Sequence, residues 1–232
     1  MKFFYLLIFI FFIYDISANE INDPYENLNR KTYQFNENLD EKIAKPIAEI
    51  YSNFPPPIKS GVTNFFNNLE EVDTFINQLL QGKPKESLND LTRFIINSTI
   101  GLAGFIDVAS KIGLERHEED FGQTLGVWGV GQGPYIMLPV LGPSTLRDTL
   151  SRPVSSFLSV TFHMTEADVN IALKSIDAIE TRERLLEVES LLSGDKYSFV
   201  KDAYIQSINY EVKDGIDVVD EFIDDMDDFL ID

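Results

Sequence analysis

The segment from Ile58 to Gln81 constrains the fold more than any other part of this chain. Its apolar residues recur at intervals of three and four, which places them on one face of an α-helix, and the opposite face is almost wholly polar. Gly82 and Pro84 then follow in the order that ends a helix. One long amphipathic helix is therefore predicted, with its apolar face formed by Ile58, Val62, Phe65, Phe66, Leu69, Val72, Phe75, Ile76, Leu79 and Leu80.

The same spacing recurs on both sides of this segment. A helix is predicted to start at 23–26, with Asp23 as its cap and Pro24 as its first residue. Pro46 is predicted to kink or restart that helix, and the prolines at 55–57 to end it. Its shared face carries Leu28, Thr32, Phe35, Leu39 and Ile43.

Further helices are predicted toward the C-terminus. Two short ones are expected between Pro84 and Gly113, one starts near Thr165 and Asp168 and closes at Gly194, and another covers 195–210. Alternating strand patterns are nearly absent and no repeat of fixed period is visible. The chain is therefore predicted to be all-α, with a single domain.

The two ends of the chain differ from the rest. Residues 1–18 have the layout of a cleaved secretory signal peptide, with an apolar run from Phe3 to Tyr14 that is too short to span a bilayer, where about 20 residues are needed. An uncleaved anchor or a buried helix is the alternative. Residues 213–232 form an acidic tail, predicted to be solvated, with a partner-binding or core-docking helix as the alternative. The domain is thus expected to cover 19–212.

Charge and composition exclude several classes of function. The net charge is −19, and ten acidic residues lie between Glu211 and Asp232, so the body is only mildly acidic. The chain lacks the basic surface that nucleic acid requires. The absence of cysteine removes disulfides, thiolate catalysis and thiolate metal sites.

Candidates for catalytic chemistry are few and weak. His117 precedes three acidic residues, which permits a metal site, but a loop histidine beside solvated acids is the favoured interpretation. Ser144 is expected to cap a helix starting at Thr145. Neither a nucleotide-binding motif nor a hydrolase elbow is present. The sequence predicts no enzyme, no cofactor and no metal, and a hydrolase that uses Ser144 or His117 is kept as an alternative.

The stretch from Asp120 to Asp148 is unusually rich in glycine. It holds Gly122, Gly126, Gly129, Gly131 and Gly133 among large apolar and aromatic residues. Glycine permits positive φ and close backbone approach at an entropic cost. The density of glycines therefore indicates that something passes through, or presses closely against, this segment.

Two charged residues end that stretch. Arg147 and Asp148 are adjacent in a predicted helix, so their side chains are expected to point to different sides. A salt bridge or capping contact that fixes the glycine-rich segment is the favoured role. The alternative is that the planar guanidinium of Arg147 contacts a lipid phosphate.

A series of motifs, in matching order, resembles the MlaA (VacJ) outer-membrane phospholipid-asymmetry family from about Asn22 to Tyr210. The motifs are NDPYENLNR at 22–30, Asn64-Phe65 with Asn68-Leu69, Leu80-Gln81-Gly82, Arg93-Phe94 with Asn97, GFID at 104–107, FGQTLG at 121–126, Gly133-Pro134-Tyr135, Leu138-Pro139, and Gly142-Pro143-Ser144 with Arg147-Asp148.

This resemblance implies a non-enzymatic lipid translocator in the periplasmic leaflet of the outer membrane. The implied fold is a ring of amphipathic helices around a central amphipathic channel with a glycine-rich gate loop. The implied partners are phospholipids, a soluble periplasmic carrier and a trimeric porin. The lipid path and gate are expected to include Phe121, Gly122, Gly126, Trp128, Gly129, Gly131, Gly133, Pro134 and Tyr135, with Arg147 and Asp148 as structural or headgroup contacts.

One departure affects how the chain is held at the membrane. Family members are usually lipid-anchored through a cysteine, and this sequence has none, so conventional lipoprotein attachment is not expected. Retention would rest on the helical ring, on porin contacts or on an uncleaved 3–14 segment. The alternative from another functional class is a soluble periplasmic helical binding or scaffold protein.

Overall fold

The computed structural model describes residues 23–164, 166–189 and 194–215. The predicted signal peptide and the acidic tail beyond Gly215 lie outside the described residues, as do Thr165 and 190–193. Within the described part the chain is mainly helical, which confirms the predicted class, but it also contains one small antiparallel sheet.

The first helical run bends around Pro46. Helix α1 (Glu26–Leu39) continues through a π-helical stretch (Asp40–Ala44) into α2 (Lys45–Ser52). Because proline has no N–H to donate to the preceding turn, the wider π turn accommodates the missing hydrogen bond. The predicted restart at Pro46 is therefore confirmed.

The predicted start of α1 is wrong in its detail. The helix begins at Glu26 after Tyr25, and no side chain caps it. Asp23 instead accepts hydrogen bonds from the amide of Asn29 and from the hydroxyl of Tyr197. It therefore links α1 to the C-terminal helix, which the local pattern could not indicate.

Two long antiparallel helices form the largest packed pair. Helix α3 (Pro56–Gln81) ends at Gly82, whose φ of +81° gives the left-handed cap that the sequence predicts. Helix α4 (Pro84–Thr99) begins two residues later and runs back along α3. No helix in the part of the chain described is long and apolar enough to cross a membrane.

The remaining elements complete the described fold. They are α5 (Val108–Lys111), α6 (Phe121–Val127), β1 (Tyr135–Leu138), β2 (Gly142–Thr145), α7 (Leu146–Leu158), α8 (Val160–Met164), α9 (Ala167–Glu189) and α10 (Lys196–Val212). Helix α9 packs on α2, while α6 packs on α7 and α10.

The hairpin of β1 and β2 was not predicted. Tyr135 pairs with Thr145 and Leu138 with Gly142. Each strand has four residues and neither alternates clearly in polarity, so the sequence carries no period-two pattern. Ser144 lies in β2, and the cap of α7 is Thr145, whose hydroxyl accepts from the Asp148 amide at 3.1 Å. The predicted capping role of Ser144 is therefore wrong.

Two asparagines of α1 hold the first strand in place. Asn29 donates to the Tyr135 carbonyl and accepts from the Met137 amide, at 3.1 and 2.9 Å. Asn36 makes the equivalent pair of hydrogen bonds at the end of the hairpin. The amide side chains thus satisfy backbone groups of β1 and of the turn that follows it.

The interior of the described chain is mostly polar. Eighteen polar or charged residues are buried, against eight apolar ones. In α3 the buried positions are chiefly Asn68, Glu71, Thr74, Asn77 and Gln78. The apolar stripe of the same helix includes Ile58, Leu79 and Leu80, which are 52%, 51% and 40% exposed. The helices therefore turn their polar faces inward, the reverse of a water-soluble bundle.

Arg93 is the centre of this polar interior. The side chain is 1% exposed, and its Nε donates to Glu71 Oε1 at 2.7 Å. The terminal nitrogens donate to the Leu114 carbonyl, to Ser110 Oγ and to Asp107. One guanidinium therefore joins α3, α4, α5 and the two loops that flank α5, and its donors are matched by acceptors as a buried cation requires.

We expect Arg93→Ala to lower the free energy of unfolding by about 3 to 5 kcal/mol, because it leaves the Glu71 carboxyl buried without its partner. Chemical denaturation in detergent measures the change. The double variant Arg93→Met, Glu71→Leu is expected to recover more than half of the loss.

Arg184→Ala is the matched control. Arg184 is exposed, and its partner Glu180, although buried, keeps the hydrogen bond from Thr63 Oγ1 at 2.6 Å, so loss of Arg184 is expected to change stability by less than about 1 kcal/mol. Equal effects of the two alanine variants would contradict a structural role for the buried pair.

Candidate functional site

Two adjoining cavities, both partly open to solvent, lie between the helices. The larger has a volume of about 540 Å³ and the smaller about 280 Å³, and both have Asp120, Gln123 and Ser155 in their walls. The larger is lined also by Leu141, Arg147, Asp148, Ser151, Arg152, Ser156, Lys174, Tyr204, Ile208 and Glu211. The smaller is lined also by Glu70, Asp73, Thr74, Asn77, Glu118 and Glu119.

Helix α7 supplies much of the wall of the larger cavity. Its polar residues recur at intervals of three and four and so share one face. Those that line the cavity are Arg147, Asp148, Ser151, Arg152, Ser155 and Ser156. The other face carries Leu150, Val154 and Phe157, which are exposed on the outside. The helix thus separates a polar cavity from an apolar outer surface.

Arg147 and Asp148 meet each other, contrary to the prediction. Arg147 Nε donates to Asp148 Oδ1 at 2.9 Å, because the long arginine side chain reaches back to its neighbour. Asp148 Oδ2 accepts from Thr145 Oγ1 at 2.7 Å and from the Tyr204 hydroxyl at 2.9 Å. The predicted salt bridge is therefore present, while its role in fixing the glycine-rich segment stays a prediction. Asp148 also lies in the first turn of α7, where the helix dipole favours an anion.

Two glycines explain how α6 approaches this pair. A Cβ at Gly122 would lie 2.7 Å from Asp148 Oδ1, and one at Gly126 would lie 2.7 Å from Arg147 Nη1. Any larger residue would push α6 away from α7. Here the glycines therefore allow close packing of two helices, as the density of glycines indicated.

The other glycines of the segment have different surroundings. Gly129 and Gly133 have φ values of +86° and +69°, which favour glycine. The φ of Gly131 is not positive, and a methyl group on its Cα would have no atom of the described chain within 4 Å. The loop between α6 and β1 therefore has open space on at least one side.

The aromatic residues predicted for the lipid path differ in their exposure to solvent. Phe121 and Trp128 are in edge contact, and the Trp128 indole, 53% exposed, donates to the Leu80 carbonyl at 3.0 Å. Tyr135 is buried beside Tyr197 and Tyr204, and the Pro134 carbonyl accepts from the Leu146 amide. None of the nine predicted path residues lines either of the two cavities, whereas Arg147 and Asp148 do.

The two cavities differ in charge. The larger one is lined by three cations, Arg147, Arg152 and Lys174, and by three carboxylates, and among the described residues neither Arg152 nor Lys174 forms an ion pair. The smaller one is lined by five carboxylates and by no lysine or arginine, but three of the five pair with Lys83 or Arg116, which lie outside its lining. Burial raises the pKa of Asp73 to about 6 and also raises the pKa of Asp120.

His117 and Ser144, the residues considered for catalysis or a metal site, each have hydrogen-bond partners in the described chain. His117 Nδ1 lies 2.9 Å from Asp90 Oδ2 and forms a pair with it. Ser144 Oγ donates to the Thr145 carbonyl and accepts from Thr149. Within residues 23–164, 166–189 and 194–215, no group of three His, Asp or Glu side chains could hold a metal ion.

Several wall residues were not predicted from the sequence. Arg152, Ser151 and Ser155 could have been found from the polar stripe of α7, since they follow Arg147 and Asp148 at helical spacing. Lys174, Tyr204 and Asp73 come from three separate helices. No local pattern indicates that these three approach α7.

Comparison with known proteins identifies the family. A family model described as MlaA lipoprotein matches residues 21–211. The chain belongs to the MlaA lipoprotein family. This confirms the family resemblance that the motifs indicated.

The MlaA relatives are similar over most of their length. The intermembrane phospholipid transport system lipoprotein MlaA of Escherichia coli K12 is 39% identical over 201 residues, 84% of this chain and 80% of the relative. The protein of the same name from Haemophilus influenzae is 35% identical, over 85% of this chain and 82% of the relative.

A solved structure has the same fold. It comes from a study of the structural basis for maintenance of bacterial outer membrane lipid asymmetry, and its TM-score is 0.75 at 35% identity. The match covers 82% of this chain and 99% of that one. The helical fold described above is therefore shared with it.

We expect Gly126→Ala to lower the free energy of unfolding by about 1 to 3 kcal/mol, because the added methyl group overlaps the Arg147 guanidinium and the Val212 side chain. Thermal unfolding in detergent measures the change. Gly131→Ala is the control and is expected to change stability by less than about 1 kcal/mol, since its methyl group meets nothing. Equal losses in both variants would contradict the close approach of α6 and α7.

Proposed function

We propose that this protein is the outer-membrane component of an intermembrane phospholipid transport system. It removes mislocalised phospholipids from the outer leaflet and passes them to a periplasmic carrier, which maintains lipid asymmetry. The observation that supports this best is the inverted polarity of the described fold, with cavities inside and apolar side chains outside. The names of the MlaA relatives support the same assignment.

The outer surface fits the acyl region of one leaflet. Soluble proteins rarely expose so many large apolar side chains, and burying them in lipid is favourable in proportion to their area. The helices lie in the leaflet instead of crossing it. Among the most exposed of these side chains are Leu28, Ile50, Leu88, Ile95, Ile100, Leu102 and Ile112.

The larger cavity takes the lipid headgroup. Its volume lies within the range of roughly 300 to 1,000 Å³ that is usual for ligand sites. Arg147 and Arg152 offer guanidinium groups that suit a phosphate, while Leu141 and Ile208 give apolar contact at the same wall. The acyl chains stay against apolar surface, because exposing each methylene costs about 0.8 kcal/mol.

The loop between α6 and β1 acts as the gate. It carries Gly129, Gly131 and Gly133, and its Trp128 side chain is exposed beside the outer apolar surface. Movement of this loop would open the larger cavity to lipid through the ring of helices. The gate lies next to the start of α7, because the Gln132 carbonyl accepts from the Arg147 amide and the Pro134 carbonyl from the Leu146 amide.

The protein acts passively, without catalysis or a bound cofactor. Direction comes from its partners, a soluble lipid carrier and a trimeric porin that keeps the protein at the membrane. Retention at the membrane rests on the apolar outer surface and on the porin.

The test replaces the resident family member of a Gram-negative host with this chain and measures surface-exposed phospholipid. We expect normal surface levels, copurified phospholipid and fractionation with the outer membrane. Arg152→Gln is expected to slow lipid removal about tenfold without unfolding the protein, since Arg152 loses a charge-assisted contact to phosphate and has no ion pair among the described residues. Arg184→Gln is the control.

Other outcomes would overturn the proposal. Release by osmotic shock without bound phospholipid would identify a soluble scaffold protein. Lipid turnover that is lost in Ser144→Ala would identify a hydrolase.

The gate is tested by Gly131→Val in the same cells. The valine side chain has room in the described conformation, so folding should be unchanged, but the branched residue stiffens the loop. We expect phospholipid to accumulate in the outer leaflet. A normal level of surface phospholipid in a stably folded Gly131→Val protein would show that this loop is not the gate.

A further inference from the structure

The two adjoining cavities contain charged groups of both signs that have no ion-pair partner. Arg152 and Lys174 line the larger cavity, which also has three carboxylates in its wall, and neither forms an ion pair with a described residue. The smaller cavity has Asp73 in its wall, which forms no ion pair with a described residue, whereas Glu118 and Glu119 are paired with cations that lie outside the lining. The shared residues Asp120, Gln123 and Ser155 mark the junction between the two.

Buried groups in both cavities have unused bonding capacity. Arg147 is 7% exposed, and only its Nε makes a side-chain hydrogen bond to another described residue. Arg152 Nε and Asp73 Oδ1 are fully buried without a hydrogen-bond partner among the described residues. Buried polar atoms are normally paired, so unpaired ones of opposite charge in adjoining cavities indicate a ligand that carries both charges.

We propose that the paired cavities select zwitterionic phospholipid headgroups over anionic ones. This inference rests on the function proposed above and adds the substrate class. The phosphate lies in the larger cavity against Arg147, Arg152 and Lys174, and the ammonium group of the headgroup extends past Ser155 toward Asp73. In this arrangement each charged group of the headgroup lies beside side chains of the opposite charge.

Electrostatics explains why an anionic headgroup is disfavoured. Its phosphate would meet the same cations, but its uncharged remainder would leave the carboxylate of Asp73 without a positive partner. A zwitterionic headgroup supplies a positive charge there. Interactions of this kind are strong where water is partly excluded, because the effective dielectric constant is low.

The titration of the smaller cavity agrees with this arrangement. Burial raises the pKa of Asp73 to about 6, so the empty site disfavours its ionised form. A bound ammonium group would favour the ionised form, and its binding is therefore coupled to loss of a proton from Asp73 below about pH 6.

The test purifies the full chain, incubates it with vesicles of equal amounts of phosphatidylethanolamine and phosphatidylglycerol, and measures the bound lipids by mass spectrometry. We expect bound phosphatidylethanolamine to exceed bound phosphatidylglycerol about fivefold. Asp73→Asn changes the unpaired carboxylate to an amide, and it is expected to reduce this ratio while total bound lipid is retained.

The controls separate selectivity from transport itself. Glu41→Gln makes the same change of charge on an exposed residue that lines neither cavity, and it should keep the wild-type lipid ratio. Bound lipid with the composition of the vesicle, in wild type and variants alike, would overturn the selectivity and leave the proposed function intact. Absence of bound lipid from the wild-type protein would overturn both.

Discussion

The ion pair between Arg93 and Glu71 is the interaction on which the rest of the structure depends. It lies between α3 and α4, the pair of helices that pack most extensively on each other, and both side chains are 1% exposed. Burial raises the pKa of Glu71 to about 7, so the carboxylate is costly to keep there without the guanidinium. Because the pair fixes the polar faces of α3 and α4 inward, the apolar faces of both helices are left on the outside.

The inward orientation of the polar helix faces determines where a ligand could enter. A conventional apolar core would exclude water and leave no hydrated path for a headgroup. Polar side chains on facing helices instead form cavity walls that can bind water or a headgroup. The close contact of α6 with α7, which two glycines allow, brings Arg147 and Asp148 to the larger cavity. A small aromatic cluster of Tyr135, Tyr197 and Tyr204 holds the hairpin and α10 beside the same wall.

The sequence predicted the helices better than their orientation. The pattern from Ile58 to Gln81 indicated the helix and its glycine cap, because spacing and φ preference are local properties. The same pattern is equally consistent with an apolar face inside or outside, and only the packing of Asn68, Glu71 and Asn77 decides between them. The hairpin was missed because its strands are short. The cavity wall was found only in part, since Asp73 and Tyr204 approach it from segments far apart in the chain.

The most direct test of the inverted polarity measures which face of the helices meets lipid. The chain has no cysteine, so a nitroxide on a single introduced cysteine reports one position. In vesicles, Ile95→Cys should give a label more accessible to oxygen than to a water-soluble nickel chelate, and Ser155→Cys should give the reverse. A label at Ile95 that the nickel chelate reaches as readily as one at Glu41 would contradict an outward lipid-facing surface and with it the placement of these helices in a leaflet.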